Sequence, residues 1–288
     1  MEQIVKILKD NNINNIIVEE NLFESNDDSI TKVLDVRSAL YYATGIAATN
    51  KEKVAVICRR GNSSRSAFTG LTEAYYRTLP IIFITLGNEL DYSNELNDIF
   101  NKHIVLKDID ELNNISFDDF TYPAHIEILN FKFNDVYNDN FAFFNDLFNL
   151  TLKDEYYFYQ NGNSIDNKNI KAKVVNGGLS GCVDGAISNV FGASLAKKHS
   201  RYIGFVSEEE FLHDINSLGN INVNDTLCFI IHNVQNKNIN MIEDYASSLE
   251  FKVIKTDYSL LSNNDKLNEF KDALENKVKT IILFTKED

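Results

Sequence analysis

Five of the six arginines in this sequence fall within 41 positions, although the chain as a whole is acidic. Arg59, Arg60 and Arg65 flank the loop that follows an apolar run at residues 53–58. Guanidinium groups bind carboxylates and phosphates through paired hydrogen bonds. The cluster predicts a site for a small anionic substrate. Surface arginines paired with local acids are the alternative.

A glycine-rich segment at residues 176–181 (NGGLSG) opens a predicted helix that continues to residue 196. Loops of this kind at the ends of parallel strands present backbone N–H groups and helix N-termini to ligands. The segment is therefore a candidate binding loop. Glycines that only make turns remain the other interpretation.

The elements around these segments alternate between short apolar runs and helices, which indicates parallel α/β architecture. We predict two doubly wound parallel-sheet domains, at residues 1–130 and 155–288, joined by a connector at residues 131–154. Strands are expected at residues 15–18, 30–34, 53–58 and 80–85 in the first half, and at residues 155–160, 202–206, 226–231, 251–255 and 280–284 in the second.

Composition limits the classes of function. With 288 residues and 44% hydrophobic residues, the chain has enough apolar surface to form a core. A formal charge of -14 opposes general attraction to nucleic acid or to an anionic membrane. No apolar run has the length of a membrane span, and the first residues lack a signal-peptide pattern, so we expect a cytoplasmic protein.

The three cysteines are widely separated and form neither a disulfide framework nor a CxxC metal pair. Cys58 and Cys228 lie in apolar runs and are expected to be buried. Among the histidines, His103 and His199 are expected at the surface or at helix ends, and His125 in a strand.

Several segments, in order along the chain, resemble thiamine-diphosphate (ThDP) enzymes of the acetolactate-synthase and menaquinone-pathway carboligase group. Residues 35–39 (DVRSA), 71–77 (LTEAYYR) and 122–126 (YPAHI) are similar to the pyrimidine-binding domain of that family. Residues 180–185 (SGCVDG) and 211–218 (FLHDINSL) are similar to its diphosphate-binding domain. Those enzymes carry a central domain where this chain has only the connector.

The resemblance implies a decarboxylase or carboligase acting on a 2-oxo acid, with ThDP and Mg²⁺ bound between subunits of a homodimer or homotetramer. In the matching positions Glu208, Asn233 and the main chain of Gln235 would hold the metal. The arginines would orient the acid. The cofactor pocket would be lined by Asn176, Gly178, Ser180, Gly181 and Asp184.

The sequence departs from the family pattern at three places. Val36 stands where the family has the glutamate that activates the cofactor, and valine exchanges no proton. Ser207-Glu208-Glu209-Glu210 also matches a capped helix start with acids in its first turn. The stretch that follows Asn233 is shorter than in the relatives.

These departures leave two alternatives to the enzyme. One is a catalytically degenerate homologue that serves as a binding or subunit scaffold, and the other is a chain that works only with a full-length ThDP enzyme subunit. A transition-metal site made by Glu208, His213 and His232 is a further arrangement, although no short ligand spacing supports it.

Overall fold

The apolar runs of the sequence form two parallel β-sheets in a computed structural model, which describes residues 1–22, 27, 29–88, 98–133, 140–161, 165–177, 183–219 and 225–285. Each sheet lies in its own unit of the chain, Met1–Asp135 and Val136–Asp288. All described strand pairs are parallel. The predicted α/β fold with two doubly wound parallel sheets is confirmed.

The first unit contains six strands and four α-helices among its described residues. The strands are β1 Asn15–Glu19, β2 Ile30–Val33, β3 Val54–Arg59, β4 Ile81–Leu86, β5 Lys102–Leu106 and β6 Ala124–Ile128. The helices are α1 Glu2–Asp10, α2 Val36–Asn50, α3 Asn62–Ser66 and α4 Phe68–Tyr76.

The second unit contains six strands and five α-helices among its described residues. The strands are β7 Tyr156–Asn161, β8 Lys173–Gly177, β9 Arg201–Ser207, β10 Leu227–Val234, β11 Lys252–Thr256 and β12 Thr280–Thr285. The helices are α5 Phe141–Thr151, α6 Ala186–Leu195, α7 Glu208–His213, α8 Asn236–Ser248 and α9 Asn264–Glu275.

The two sheets have the same strand order. The first reads β2-β1-β3-β4-β6-β5, and the second reads β8-β7-β9-β10-β12-β11 from the corresponding edge. Counted from its own first strand, each sheet is therefore ordered 2-1-3-4-6-5. The order reverses direction between β1 and β3, and between β7 and β9. Open α/β sheets bind ligands at the carboxyl ends of the strands beside such a reversal.

Both faces of each sheet are buried, which explains the continuous apolar strand sequences. In the first unit, α1 packs on one face, and α2 and α4 pack on the other. Helices α2 and α4 approach closely at Gly70, where an added Cβ atom would lie 2.4 Å from the Cβ of Leu40. In the second unit, α5 and α9 cover one face, and α6 and α8 cover the other.

The structure differs from the expected elements at three places. Residues 102–106 form the edge strand β5, which the sequence analysis did not predict. Residues 173–177 form β8, so Asn176 ends a strand instead of starting the glycine loop. Helix α5 was assigned to the connector, but its Phe144, Leu147 and Phe148 are buried in the core of the second unit.

None of the helices within the described ranges combines the length and apolarity that crossing a bilayer requires.

Candidate functional site

Four polar side chains form a row across the first sheet, near the carboxyl ends of its strands. Cys58 pairs in register with Thr85, and Thr85 pairs with Glu127. Glu19 follows Val18, the partner of Ile57, and so lies on the other side of Cys58. Burial, and secondarily the Glu19 carboxylate, raises the pKa of the Cys58 thiol well above its usual range. The thiol is therefore protonated at neutral pH, and Cys58 is the buried side chain that the sequence predicted.

One end of this row lies at the reversal of strand order between β1 and β3. The Glu19 side chain accepts a hydrogen bond from the Arg59 backbone N–H at 2.8 Å and is only 5% exposed. The Arg59 guanidinium lies 4.2 Å from the centre of the Phe133 ring, within cation–π distance. The strand ends are thus bridged by a glutamate at the place where the fold presents ligands.

At the other end of the row, Arg60 faces a buried carboxylate. Arg60 Nε donates to Glu127 Oε2 at 2.8 Å, and the two side chains are 7% and 1% exposed. Arg60 also donates a hydrogen bond to the Asn88 carbonyl. A substrate anion at this loop would have to compete with Glu127 for this guanidinium. Arg65 lies in α3, and a shared anion site for the three arginines stays a prediction.

Glu127 also contacts two histidines. Its Oε1 atom lies 2.5 Å from His103 Nε2 and 4.0 Å from His125 Nδ1. The two imidazole rings are 5.0 Å apart, and His125 Nε2 lies 3.0 Å from Thr85 Oγ1. Burial lowers the pKa of His125 to about 3, so its ring is neutral at physiological pH. Among the described residues, His103, His125 and Glu127 form the group of His, Cys, Asp or Glu side chains that lie close enough to share one metal ion.

In the second unit, part of the predicted cofactor loop is described. Asn176 Oδ1 accepts hydrogen bonds from Gln160 Nε2 at 3.1 Å and from Asn167 Nδ2 at 3.2 Å. Asp184 Oδ1 lies 3.1 Å from His213 Nδ1. Asn176 thus contacts the end of β7, whereas Asp184 contacts α7. The predicted pocket residues Gly178, Ser180 and Gly181 lie outside the described residues.

The acidic segment after β9 is a capped helix start, as one interpretation of the sequence predicted. Ser207 Oγ accepts a hydrogen bond from the Glu210 N–H, and Glu210 Oε2 accepts one from the Ser207 N–H at 2.8 Å. This reciprocal pair is a capping box. Glu210 Oε1 also accepts a hydrogen bond from Asn161 at the end of β7. Burial raises the pKa of Glu210. As in the first unit, a glutamate bridges the reversal of strand order.

Two of the three predicted metal ligands, Glu208 and Gln235, take part in a closed ring of hydrogen bonds. Glu208 Oε1 accepts from the Gln235 N–H at 3.0 Å and from Asn238 Nδ2 at 3.2 Å. The Gln235 carbonyl in turn accepts from the Asn238 N–H at 2.9 Å. Gln235 is the N-cap residue of α8, so its carbonyl starts the hydrogen bonding of that helix. Glu208, only 6% exposed, thereby anchors the start of α8.

The other predicted histidine ligands do not join Glu208. His213 contacts Asp184, and its side chain is 5% exposed. His232 is buried, with its ring 4.6 Å from the ring of Phe205. Burial lowers the pKa of His232 to about 4. Among the described residues, Glu208, His213 and His232 do not form a group close enough to share one metal ion.

Val36 occupies the first position of α2 and is 2% exposed. Its neighbour Asp35 caps the helix by accepting a hydrogen bond from the Arg37 N–H at 3.0 Å. Val36 packs in the core between the sheet and α2. A buried aliphatic group exchanges no proton with a cofactor, so this position supplies packing and no acid–base chemistry.

Sequence reasoning missed the residues that hold these sites together. Glu19, Glu127 and Asn238 were not singled out, and His103 was assigned to the surface. One signal was present. His125 and Glu127 are two residues apart on one strand, so their side chains leave the same face of the sheet.

Comparison with known proteins finds similarity over only part of this chain. No protein-family model matches it. A segment is 32% identical over 66 residues to the 2-succinyl-5-enolpyruvyl-6-hydroxy-3-cyclohexene-1-carboxylate synthase of Bacillus cytotoxicus, covering 23% of this chain and 11% of that enzyme. The synthase of Bacillus pumilus is 30% identical over 73 residues, covering 25% of this chain and 12% of the enzyme. The synthase of Lactococcus lactis is 37% identical over 52 residues, covering 18% and 9%.

The matched segment thus spans between 9% and 12% of these curated relatives. It gives the chain partial similarity to a ThDP-dependent enzyme family, in agreement with the sequence motifs. The two parallel sheets are consistent with the domains of that family.

The described residues do not fit the magnesium site that the family implies. Mg²⁺ takes oxygen ligands in near-octahedral geometry, and the ThDP diphosphate would add negative charge. Here the Gln235 carbonyl is the first acceptor of α8, and Glu208 Oε1 holds two hydrogen bonds. Glu209 and Glu210 follow in the same helical turn. Any of these carboxylates that faced the site would repel a diphosphate.

Proposed function

We propose that this chain is a non-catalytic relative of ThDP enzymes that serves as a subunit-pairing scaffold. The observation that carries the proposal is the hydrogen-bond ring of Glu208, Gln235 and Asn238. It gives two predicted metal ligands a structural role at the start of α8. Buried charged or polar groups require partners, and here the protein itself supplies them.

The position of Val36 supports the same conclusion independently. In most enzymes of the family that the sequence resembles, a glutamate at this position hydrogen-bonds the aminopyrimidine ring of ThDP, although one carboligase subfamily also has valine there. Here Val36 is a core side chain between α2 and the sheet. The first unit therefore contributes no activating carboxylate at this position.

The surface of the first unit supports pairing with a second copy of this chain. Exposed aromatic side chains are concentrated on α2 and α4, two helices that pack against each other: Tyr41, 48% exposed, Tyr42, 55%, Phe68, 45%, and Tyr76, 81%. Aromatic residues are enriched at protein interfaces and costly to leave in water. A homodimer formed through these helices would cover them.

A second candidate function is a ThDP- and Mg²⁺-dependent decarboxylase or carboligase acting on a 2-oxo acid. One specific observation favours it. Ser207 and His232 are register partners, so Glu208, just after β9, and Asn233, near the end of β10, lie at the carboxyl ends of adjacent strands. Both side chains carry oxygen atoms, the ligand type that Mg²⁺ prefers, and they lie where parallel sheets present ligands. Partial similarity to the synthases supports the same candidate.

Thermal unfolding with and without ThDP plus Mg²⁺ separates the two candidates. A ligand at about 100 times its Kd adds roughly 2.7 kcal/mol, which raises the midpoint by several degrees. The scaffold proposal predicts no shift at millimolar ThDP. A shift that requires both components would favour the enzyme and would justify a screen of 2-oxo acids. Adding a full-length ThDP enzyme to the chain and assaying the mixture tests a shared site.

Light scattering coupled to size-exclusion chromatography tests pairing directly. We expect a dimer for the unaltered chain and a monomer for Tyr42→Asp combined with Tyr76→Asp. Met241→Asp is the matched control, because Met241 is 48% exposed on α8 in the other unit and should leave the dimer intact. An unaltered chain that is monomeric at tens of micromolar would contradict the pairing role.

A further inference from the structure

The geometry points to a divalent transition-metal site in the first unit, formed by His103 Nε2, His125 Nδ1 and Glu127 Oε1. One ligand atom from each of the three residues lies within 4.8 Å of the other two. Two imidazoles and one carboxylate form a donor set that suits Zn²⁺ and neighbouring divalent ions. The site involves strands β5 and β6 and is independent of whether the chain binds ThDP.

The buried His125 ring is the feature that a metal would explain. Its side chain is fully buried, and no hydrogen-bond partner for Nδ1 lies among the described residues. Glu127 Oε1 lies 4.0 Å from this nitrogen. Buried polar atoms without partners are uncommon and require an explanation. A cation between Nδ1 and Oε1 would give the Nδ1 atom a partner.

The side chains that contact the proposed ligands are arranged as they commonly are around a metal ion. A ligating histidine usually donates its second ring N–H to a fixed acceptor, and Thr85 Oγ1 lies 3.0 Å from His125 Nε2. A ligating carboxylate is usually held by a second hydrogen bond. Arg60 Nε donates to Glu127 Oε2, while Oε1 faces both histidines. Thr85 and Arg60 thus fix the direction of two ligand atoms.

Binding requires a small movement of one side chain. Ligands at about 2.0–2.2 Å from a tetrahedral ion are roughly 3.3 Å apart. The distance from Glu127 Oε1 to His103 Nε2 must therefore open from 2.5 Å, and that to His125 Nδ1 must close from 4.0 Å. His103 is 26% exposed on the edge strand β5, so its ring has room to turn. His103 would then carry its proton on Nδ1, and water would complete the coordination.

Titration of the chelator-treated, full-length chain with Zn²⁺ by calorimetry tests the site. We expect one equivalent to bind, and His103→Gln to weaken binding about tenfold or more. Two matched controls address other ligands: His199→Gln removes a histidine of the second unit, and Cys182→Ser removes a competing thiol. Both should bind Zn²⁺ like the unaltered chain. Equal affinity in His103→Gln, loss of binding in either control, or no stoichiometric binding would overturn the proposal.

A measurement on the unaltered protein covers the case in which His103→Gln does not fold, which circular dichroism would reveal. One equivalent of Zn²⁺ should shift one ring nitrogen in each of two histidines in ¹⁵N spectra, Nε2 of His103 and Nδ1 of His125. Shifts confined to His199, His213 or His232 would overturn the assignment.

Discussion

Arg60 Nε donates a hydrogen bond to Glu127 Oε2 across 2.8 Å, and both side chains are almost completely withdrawn from water. The two residues are 67 positions apart and come from the end of β3 and from β6. A guanidinium and a carboxylate in a buried setting require each other, because either one alone would be an uncompensated charge.

Glu127→Gln should therefore destabilise the first unit by about 3–5 kcal/mol, because Arg60 would lose its buried counter-charge. Chemical denaturation measures the change in the free energy of unfolding. The matched control is Glu73→Gln, which breaks the exposed pair of Glu73 and Arg77, 47% and 46% exposed. It should cost no more than about 0.5 kcal/mol. Similar losses in the two variants would show that the buried pair has no special role.

The fold could be predicted from the sequence largely because most strands are buried on both faces. Strands β4 and β12 are continuous apolar segments, and such runs mark parallel strands without any alignment. The edge strand β5 was missed because it is short and only its last residue, Leu106, is buried. The segment that contains α5 was assigned to a connector around a short helix because it is polar, aromatic and poorly periodic.

The candidate sites could be predicted less well, because they depend on pairs that are distant in sequence. No sequence pattern near Arg60 indicates that the distant Glu127 would neutralise its charge. The ring of Glu208 and Asn238 joins residues 30 positions apart. Short sequence patterns were informative where the contacting residues are close together in the sequence. Ser207 followed by three glutamates predicted, as one of two alternatives, a capped helix start, and in the structure this start is a capping box.

His232 should make the stability of the second unit depend on pH. Burial lowers its pKa from 6.5 to about 4. Below pH 6.5 the unfolded chain takes up a proton on this ring, whereas the folded chain does so only near pH 4. The free energy of unfolding should thus fall with decreasing pH across this window, by up to about 1.4 kcal/mol per pH unit.

His232→Phe should flatten that part of the pH profile. Phenylalanine takes up no proton and preserves a ring beside Phe205, which lies 4.6 Å away in the present structure. His125 is retained in both proteins, so its contribution cancels in the comparison. Denaturation at a series of pH values between 4 and 7 gives both profiles. Parallel profiles would mean that His232 is protonated in the folded chain as readily as in the unfolded chain.

Glu208→Ala should destabilise the second unit by about 1–3 kcal/mol, because the Gln235 N–H and the Asn238 amide lose their buried acceptor. The neighbouring Glu209→Ala is the control, and a smaller loss is expected because Glu209 is only partly buried. Both measurements are made without metal. If Glu208→Ala instead left stability unchanged but removed a stabilisation by Mg²⁺ and ThDP, the carboxylate would be a metal ligand.

Gly70→Ala and Gly45→Ala should change stability in opposite directions, although both replace a glycine within a helix of the first unit. A Cβ atom at Gly70 would lie 2.4 Å from the Cβ of Leu40, so α2 and α4 would have to separate. We expect a loss of about 1–3 kcal/mol from this overpacking. A Cβ atom at Gly45 meets nothing within 4 Å, so alanine should stabilise α2 by about 0.5–1 kcal/mol. Thermal and chemical denaturation of the two variants measure the difference. A stabilised Gly70→Ala would show that α4 does not require close contact with α2 at Leu40.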